Sequence, residues 1–499
     1  MNTNLFNPLI LISLLPLFGS FLVLWFDKKY SQLISLLTTS VCFLISLFLW
    51  IFYDPCTGFF QFKQTYLWLP SLNFYYIIGI DGISLFLILL TTLLINICVL
   101  VSWSSVHFFI KEYLICFLVL EFCIIQVFCV LDIFLFYIFF ESVLIPMFLI
   151  IGVWGSRLRK VRAAYQFFIY TLVGSLLMLL GLLYIYFTLG TTDLQIIWNS
   201  KFTEVLQLVL WCTLFIGFAV KIPMVPFHIW LPEAHAEAPT AGSVILAGVL
   251  LKMGGYGFLR FSIPMFPTAT IYFLPLVYTL SAVAIIYGSL TTLRQIDLKK
   301  IIAYSSIAHM GFVTIGIFSM NSQGIEGSII LMLSHGIISS ALFLLIGVLY
   351  DRYKTRIIKY YSGLVQTMPI FTVLFLFFSF ANIGFPGTSS FIGEFLILVG
   401  IIQVSFNLVL LMCIGVILAA GYSIWLANRL NFGLLKLMYF QNFQDISRRE
   451  LYIFLPLIVL VFWIGLYPNA FLREMHFSVL TLLENYICLL YTSPSPRDA

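Results

Sequence analysis

Apolar runs of about 20 residues, separated by short polar loops, fill this chain almost from end to end. A bilayer core of about 30 Å is crossed by about 20 residues of α-helix, and by that measure the pattern predicts about fourteen spans. They lie near residues 7–26, 31–53, 79–103, 113–131, 132–154, 163–187, 205–231, 239–259, 271–293, 300–319, 325–349, 368–403, 406–428 and 451–471. The twelfth is too long for one straight crossing, and both it and the seventh contain internal prolines. The expected fold class is an all-α polytopic membrane protein.

Loop charge sets the sidedness, because Lys and Arg collect on the side of synthesis. Eighteen of the 25 lysines and arginines fall in loops after odd-numbered spans, among them Lys28, Arg157, Arg294, Lys359 and Arg429. Five fall after even-numbered spans or in the C-terminal tail, and the other two, Lys221 and Lys252, lie inside spans. An even number of spans with both termini on the less basic side preserves this separation; an odd number spoils it.

Composition agrees. The 499 residues are 62% hydrophobic and 9% charged, with a mean hydropathy of +1.09, against roughly 25% charged in soluble domains. The 52 phenylalanines suit lipid contact. The formal charge of +5 is too dispersed for the basic stripe that nucleic-acid binding needs. Nine cysteines include no C-x-x-C pair and read as small buried hydrophobes. The first apolar stretch lacks the charged region and small-residue cleavage site of a secretory signal, so it is expected to remain as a helix. The polar end, Tyr491 to Ala499, is unlike the rest; it is treated as a non-native scar and given no function.

Six ionisable side chains interrupt the apolar spans. Glu141 lies about 13 Å into the fifth at 1.5 Å per residue, near the bilayer centre. Lys221 and Lys252 are deep in the seventh and eighth, His309 and His335 near the middle of the tenth and eleventh, and Glu394 in the second half of the twelfth. An intramembrane charge costs at least a few kcal/mol, so each is a functional hypothesis by default. A single buried Glu–Lys pair can serve only to hold two helices in register, but such pairs are weak stabilisers, and six groups on six helices exceed that need. A relay suits them better. Burial favours the neutral amine of lysine and a nearby carboxylate favours the ammonium, so moving the partner moves the proton. Imidazole accepts and donates near neutrality.

Two spans carry a second signal. After Lys221 the chain reads I-P-M-V-P-F-H-I-W-L-P, where Pro223 and Pro226 each remove a helical N–H. The twelfth holds N-I-G-F-P-G, Asn382 to Gly387, before Glu394. Broken helices at corresponding positions of two halves point to an ion site between inverted repeats. Spans four to eight and nine to thirteen form two such five-helix units, at 111–262 and 263–432. An N-terminal three-helix segment, 1–110, and a C-terminal helix segment, 433–490, flank them.

Other residues are weaker candidates. Glu121 in the fourth span faces the bundle near Glu141 on one reading and is a structural partner on another. His228, Glu233, His235 and Glu237 look like metal ligands, but Pro232 and Pro239 frame them as a turn, and no metal site is assigned. Gly254, Gly255 and Gly257 lack the strand and Lys–Ser/Thr of a phosphate loop and suit close helix packing.

Three strings now stand out: F-Y-I-F-F-E-S-V-L-I-P-M-F (136–148), the run from Lys221 to Gly257, and A-Y-S-S-I-A-H-M-G (303–311). With G-F-P-G-T-S-S-F-I-G-E-F (384–395), they resemble the chain 4 family of the proton-pumping NADH–ubiquinone oxidoreductase, respiratory complex I. The resemblance covers nearly the whole chain except the tail and the loop from Asp54 to Pro70. It implies one antiporter-like module of the membrane arm, with NADH, FMN, iron–sulfur clusters and ubiquinone held elsewhere in the complex and no cofactor or metal on this chain.

Carried over residue by residue, Glu141 and Lys221 correspond to the coupling pair, Lys252 to the central relay, His309 and His335 to bridging positions, and Glu394 to the terminal group. A Glu rather than a Lys at that last position favours chain 4 over the related antiporter-like chains. The resemblance implies other membrane-arm subunits and lipids as partners. It also implies a mitochondrial inner membrane location, organelle encoding, and basic loops facing the matrix. Two other readings stay open: a subunit of a multisubunit cation/proton antiporter, and a purely structural membrane scaffold.

Overall fold

A computed structural model describes residues 7–70, 73–436, 438–439 and 443–491; the polar tail, apart from Tyr491, lies outside them. Helices α1 (Pro8–Trp25) and α2 (Lys28–Ile51) open the chain. Where a loop was expected, β1 (Gln61–Leu69) and β2 (Phe74–Ile80) pair as an antiparallel hairpin, with Tyr66 opposite Tyr76. The aromatic-rich run of β1 suits a pleated, half-buried surface. The expected third span therefore starts as a strand, and its helix α3 (Gly82–Ser105) begins at Asp81, which exchanges capping hydrogen bonds with Ser84.

Helices α4 (Ile110–Cys129), α5 (Ile133–Ser142), α6 (Leu144–Trp154), α7 (Lys160–Leu189), α8 (Leu194–Trp198), α9 (Glu204–Lys221) and α10 (Trp230–Glu237) follow. The next span runs unbroken from Thr240 to Met265. It comprises α11 (Thr240–Ile245), α12 (Leu251–Gly257) and α13 (Ile263–Met265), joined by π-helical turns at Leu246–Leu250 and Phe258–Ser262. Such turns widen the helix locally and are frequent at functional sites. The rest of the bundle is α14 (Pro267–Arg294), α15 (Leu298–Ile317), α16 (Ser322–Tyr353), α17 (Pro369–Ile383), α18 (Ser389–Ile402), α19 (Phe406–Asn431), α20 (Arg448–Leu466) and α21 (Asn469–Tyr491).

Among the described residues, 13 segments are long and apolar enough to cross a membrane. The pair α17–α18 occupies the remaining expected span. The span Thr240–Met265 and the apolar middle of α16 are wholly enclosed, and that of α3 is nearly so. In contrast, α1, α2, α19 and α20 turn Phe18, Leu44, Ile417 and Val459 outward. An apolar exterior around a core that holds polar side chains is the arrangement lipid solvation requires.

The terminal helix α21 differs from expectation, since the sequence pattern ends its last span at 471. Arg473, Glu474, His476 and Glu484 make it too polar to cross a bilayer. It packs instead on α3, α13, α14 and α16, burying Met475, Val479 and Leu482. Backbones approach closely there: a Cβ on Gly82 would lie 2.0 Å from Glu474 O.

Candidate functional site

Both expected breaks are present, and each has a local cause. Helix α9 stops at Lys221 because Pro223 and Pro226 cannot continue its hydrogen-bond ladder. Trp230 Nε1 donates to the freed carbonyl of Val220 at 3.0 Å. Helix α17 ends on Gly384 at φ +85°, a left-handed position suited to glycine. Gly384 N and Phe385 N donate back to Ala381 O and Phe380 O, both at 3.2 Å, and Ser390 Oγ of α18 also donates to Ala381 O.

Four of the six candidate residues join into one buried series. Lys252 sits on α12, immediately beyond the first π turn, fully enclosed. Its Nζ donates to Ala247 O within that turn and lies 2.8 Å from His335 Nδ1 on α16. The His335 and His309 rings are 5.7 Å apart, centroid to centroid. His309 Nδ1 on α15 is 3.4 Å from Glu394 Oε1 on α18. The carboxylate of Glu394 rests against the second break: a Cβ on Gly384 would lie 2.7 Å from Oε2. The Nε2 atoms of both histidines are buried without a hydrogen-bond partner, which leaves each imidazole with a second site for a proton.

The other two are neighbours without a direct ion pair. Glu141, at the end of α5, has Lys221 and Ser175 as its polar neighbours. No N–O approach of 4.0 Å or less joins Glu141 to Lys221 among the described residues. Lys221 Nζ instead sits over the Phe140 ring, 4.6 Å from its centroid, a contact worth about 2 kcal/mol when desolvated. The expected pair is therefore open in this structure. Glu121 is not its partner. Both Glu121 oxygens are buried without hydrogen bonds, beside Cys42 of α2.

The segment expected as a turn is helix α10 instead, and the four candidates in it and just before it do not converge. Glu233 pairs with Lys300 at 2.5 Å, Glu237 faces Arg356 at 3.9 Å, His235 stacks on Phe343, and His228 meets Tyr287 edge-on. The three glycines give close packing: a Cβ on Gly254 would lie 2.9 Å from Phe218 O, on Gly255 2.7 Å from Met332 Sδ, and on Gly257 2.3 Å from the Phe218 ring.

Three basic residues assigned to loops by the charge pattern are in fact buried. Arg260 lies in the second π turn and pairs with Asp81 at 2.6 Å. Lys299, in the first turn of α15, donates to Ala238 O at 2.7 Å. Arg356 donates to Ala236 O and faces Asp297 at 3.8 Å. Position relative to the apolar window puts all three at a helix end, and a count of loop charges cannot tell a solvated end from one folded into the protein.

The fold and the paired breaks define an antiporter-like membrane subunit. Residues 131–420 match the transmembrane family described as NADH:quinone oxidoreductase/Mrp antiporter. NADH-ubiquinone oxidoreductase chain 4 of Chondrus crispus is 69% identical over 97% of this chain and 99% of that one. The chain 4 protein of Marchantia polymorpha is 62% identical over 95% and 96%. A solved chain of respiratory complex I from Thermus thermophilus superposes with a TM-score of 0.88 at 29% identity, over 96% of this chain and 99% of that one. The chain belongs to the NADH-ubiquinone oxidoreductase chain 4 family.

Proposed function

We propose that this chain is a proton-translocating membrane-arm subunit of NADH:ubiquinone oxidoreductase, in which Glu141, Lys221, Lys252, His335, His309 and Glu394 carry the proton. The observation that carries the reading is the buried series from Lys252 through two neighbouring imidazoles to Glu394, on four separate helical segments, beside a helix break. Structural pairing calls for two partners in contact; it does not call for a series in which each member can both accept and donate.

The two five-helix units at 111–262 and 263–432 give the reading its geometry, with one broken helix and one terminal carboxylate in each. When Glu141 approaches Lys221 it holds the ammonium; when they separate, Lys221 releases its proton toward Lys252. Lys252 passes it through His335 and His309 to Glu394, with water bridging the wider intervals. The energy for separating the pair comes from outside the chain. Electron transfer from NADH to ubiquinone occurs in other subunits, which hold the FMN and iron–sulfur clusters, and the energy it releases reaches this chain through neighbouring antiporter-like subunits. The location that fits is the mitochondrial inner membrane, with the basic loops toward the matrix, lipid around the bundle and the gene in the organelle. Glu141→Gln in the assembled complex should slow ubiquinone-linked NADH oxidation at least tenfold while assembly is unchanged. A wild-type rate would make the pair structural only.

A further inference from the structure

One fully buried histidine stands outside the relay. His235 lies on α10, just beyond the first helix break, and is fully enclosed. Both of its ring nitrogens are buried without a hydrogen-bond partner. The ring lies flat on Phe343, 4.6 Å away at 7°. Phe343 is two turns of α16 beyond His335, about 12 Å at 1.5 Å per residue, toward Arg352 and the basic end. His235 therefore stands between the basic face and the central row.

Its charged neighbours lie on both sides. Lys299 and Lys252 act on it electrostatically, and it acts in turn on His335. Lys299 Nζ donates to Ala238 O at 2.7 Å and to Ser243 Oγ at 3.3 Å. Ser243 Oγ donates to the backbone carbonyl of His235 at 3.2 Å, so Lys299 is anchored on the same turn. Four further polar atoms in this region are buried without hydrogen-bond partners: Ser156 Oγ, Glu237 Oε2, Arg356 Nε and Arg356 Nη2.

Core packing explains the stack on Phe343 but not the choice of ring. An unpartnered buried donor or acceptor is destabilising, and a phenylalanine would fill the space without that cost. We infer that His235 is the uptake relay of this subunit, the group that takes a proton arriving from the basic face and passes it to Lys252. The inference rests on the relay reading above. One ring nitrogen accepts a proton, from the Lys299 ammonium or from hydronium, giving an imidazolium. The other nitrogen releases a proton toward the Lys252 amine, which becomes an ammonium. The imidazole is left neutral in its other tautomer and returns by turning over or by exchange with water. No electron moves.

The test compares His235→Phe, which keeps the stack, His235→Gln, which keeps a polar head that does not titrate, and Lys252→Ala. Each is made in the assembled complex in sealed membrane vesicles, where NADH-driven proton uptake is recorded beside NADH oxidation by a soluble acceptor. Both His235 variants should assemble, oxidise NADH with the soluble acceptor at the wild-type rate, and pump at least tenfold more slowly. Wild-type pumping by either His235 variant, with Lys252→Ala silent, overturns the inference alone. Wild-type pumping by Lys252→Ala overturns the relay reading itself. Failure of both His235 variants to assemble makes the ring structural and also overturns the inference.

Discussion

The second helix break offers a way to move the terminal carboxylate without touching a titrating group. Gly384 and Gly387 both have left-handed backbones, φ +85° and +90°. An L-residue at either position incurs the same kind of strain, about 1–2 kcal/mol. They differ in what an added methyl group meets. At Gly384 it falls 2.7 Å from Glu394 Oε2, whereas at Gly387 nothing lies within 4 Å. Ordinary contact begins near 3.4 Å, so the carboxylate must shift by about 0.7 Å. That shift is large against a His309–Glu394 separation of 3.4 Å, which is already at the outer limit for a hydrogen bond. Gly384→Ala should assemble as well as Gly387→Ala but pump protons several-fold more slowly per unit of complex. Quantifying the complex on native gels and NADH-driven pumping in vesicles checks both halves. Equal pumping by the two variants would refute the placement of Glu394 in the proton path.

Two further predictions concern assembly. Asp81→Ala leaves Arg260 as a buried, unpaired charge, which costs about 3–5 kcal/mol; assembled complex should fall sharply. The double variant Asp81→Ala with Arg260→Leu should recover part of the loss, and no recovery would contradict the charge argument. Gly82→Val drives a branched side chain into the Glu474 carbonyl, so α21 should detach from α3 and become sensitive to limited proteolysis between residues 469 and 491. Unchanged protection would show that α21 docks by other contacts.

Span positions were legible because lipid demands long apolar windows, and both broken helices were legible because proline and glycine mark where a ladder stops. The six relay candidates could be named because charge in an apolar window is rare and costly. What sequence could not supply was proximity. It put Glu141 beside Lys221, where the two are neighbours, but could not give the absence of a direct ion pair or the Phe140 ring under Lys221. The order of Lys252, the two histidines and Glu394 came from the family resemblance alone; the contacts that join them arise only through packing of α12, α15, α16 and α18. The hairpin was read as a loop because two short strands lack the length of a span. Helix α21 was missed because its apolar face is interrupted by Arg473, Glu474 and His476, the pattern of a helix that docks from the surface. His235 was passed over because the turn around it invites a metal reading; its burial without partners is a property of the fold alone. The π turns flanking Lys252 have no composition that distinguishes them from α-helix.

The central claim is that Lys252 lies on the path of the proton. Lys252→Ala, in the assembled complex and in sealed vesicles, isolates it. It removes the amino group 2.8 Å from His335 and leaves the helix breaks and both carboxylates in place. NADH oxidation by a soluble acceptor should be unchanged while ubiquinone-linked proton pumping falls at least tenfold. Pumping at the wild-type rate and stoichiometry would contradict the account.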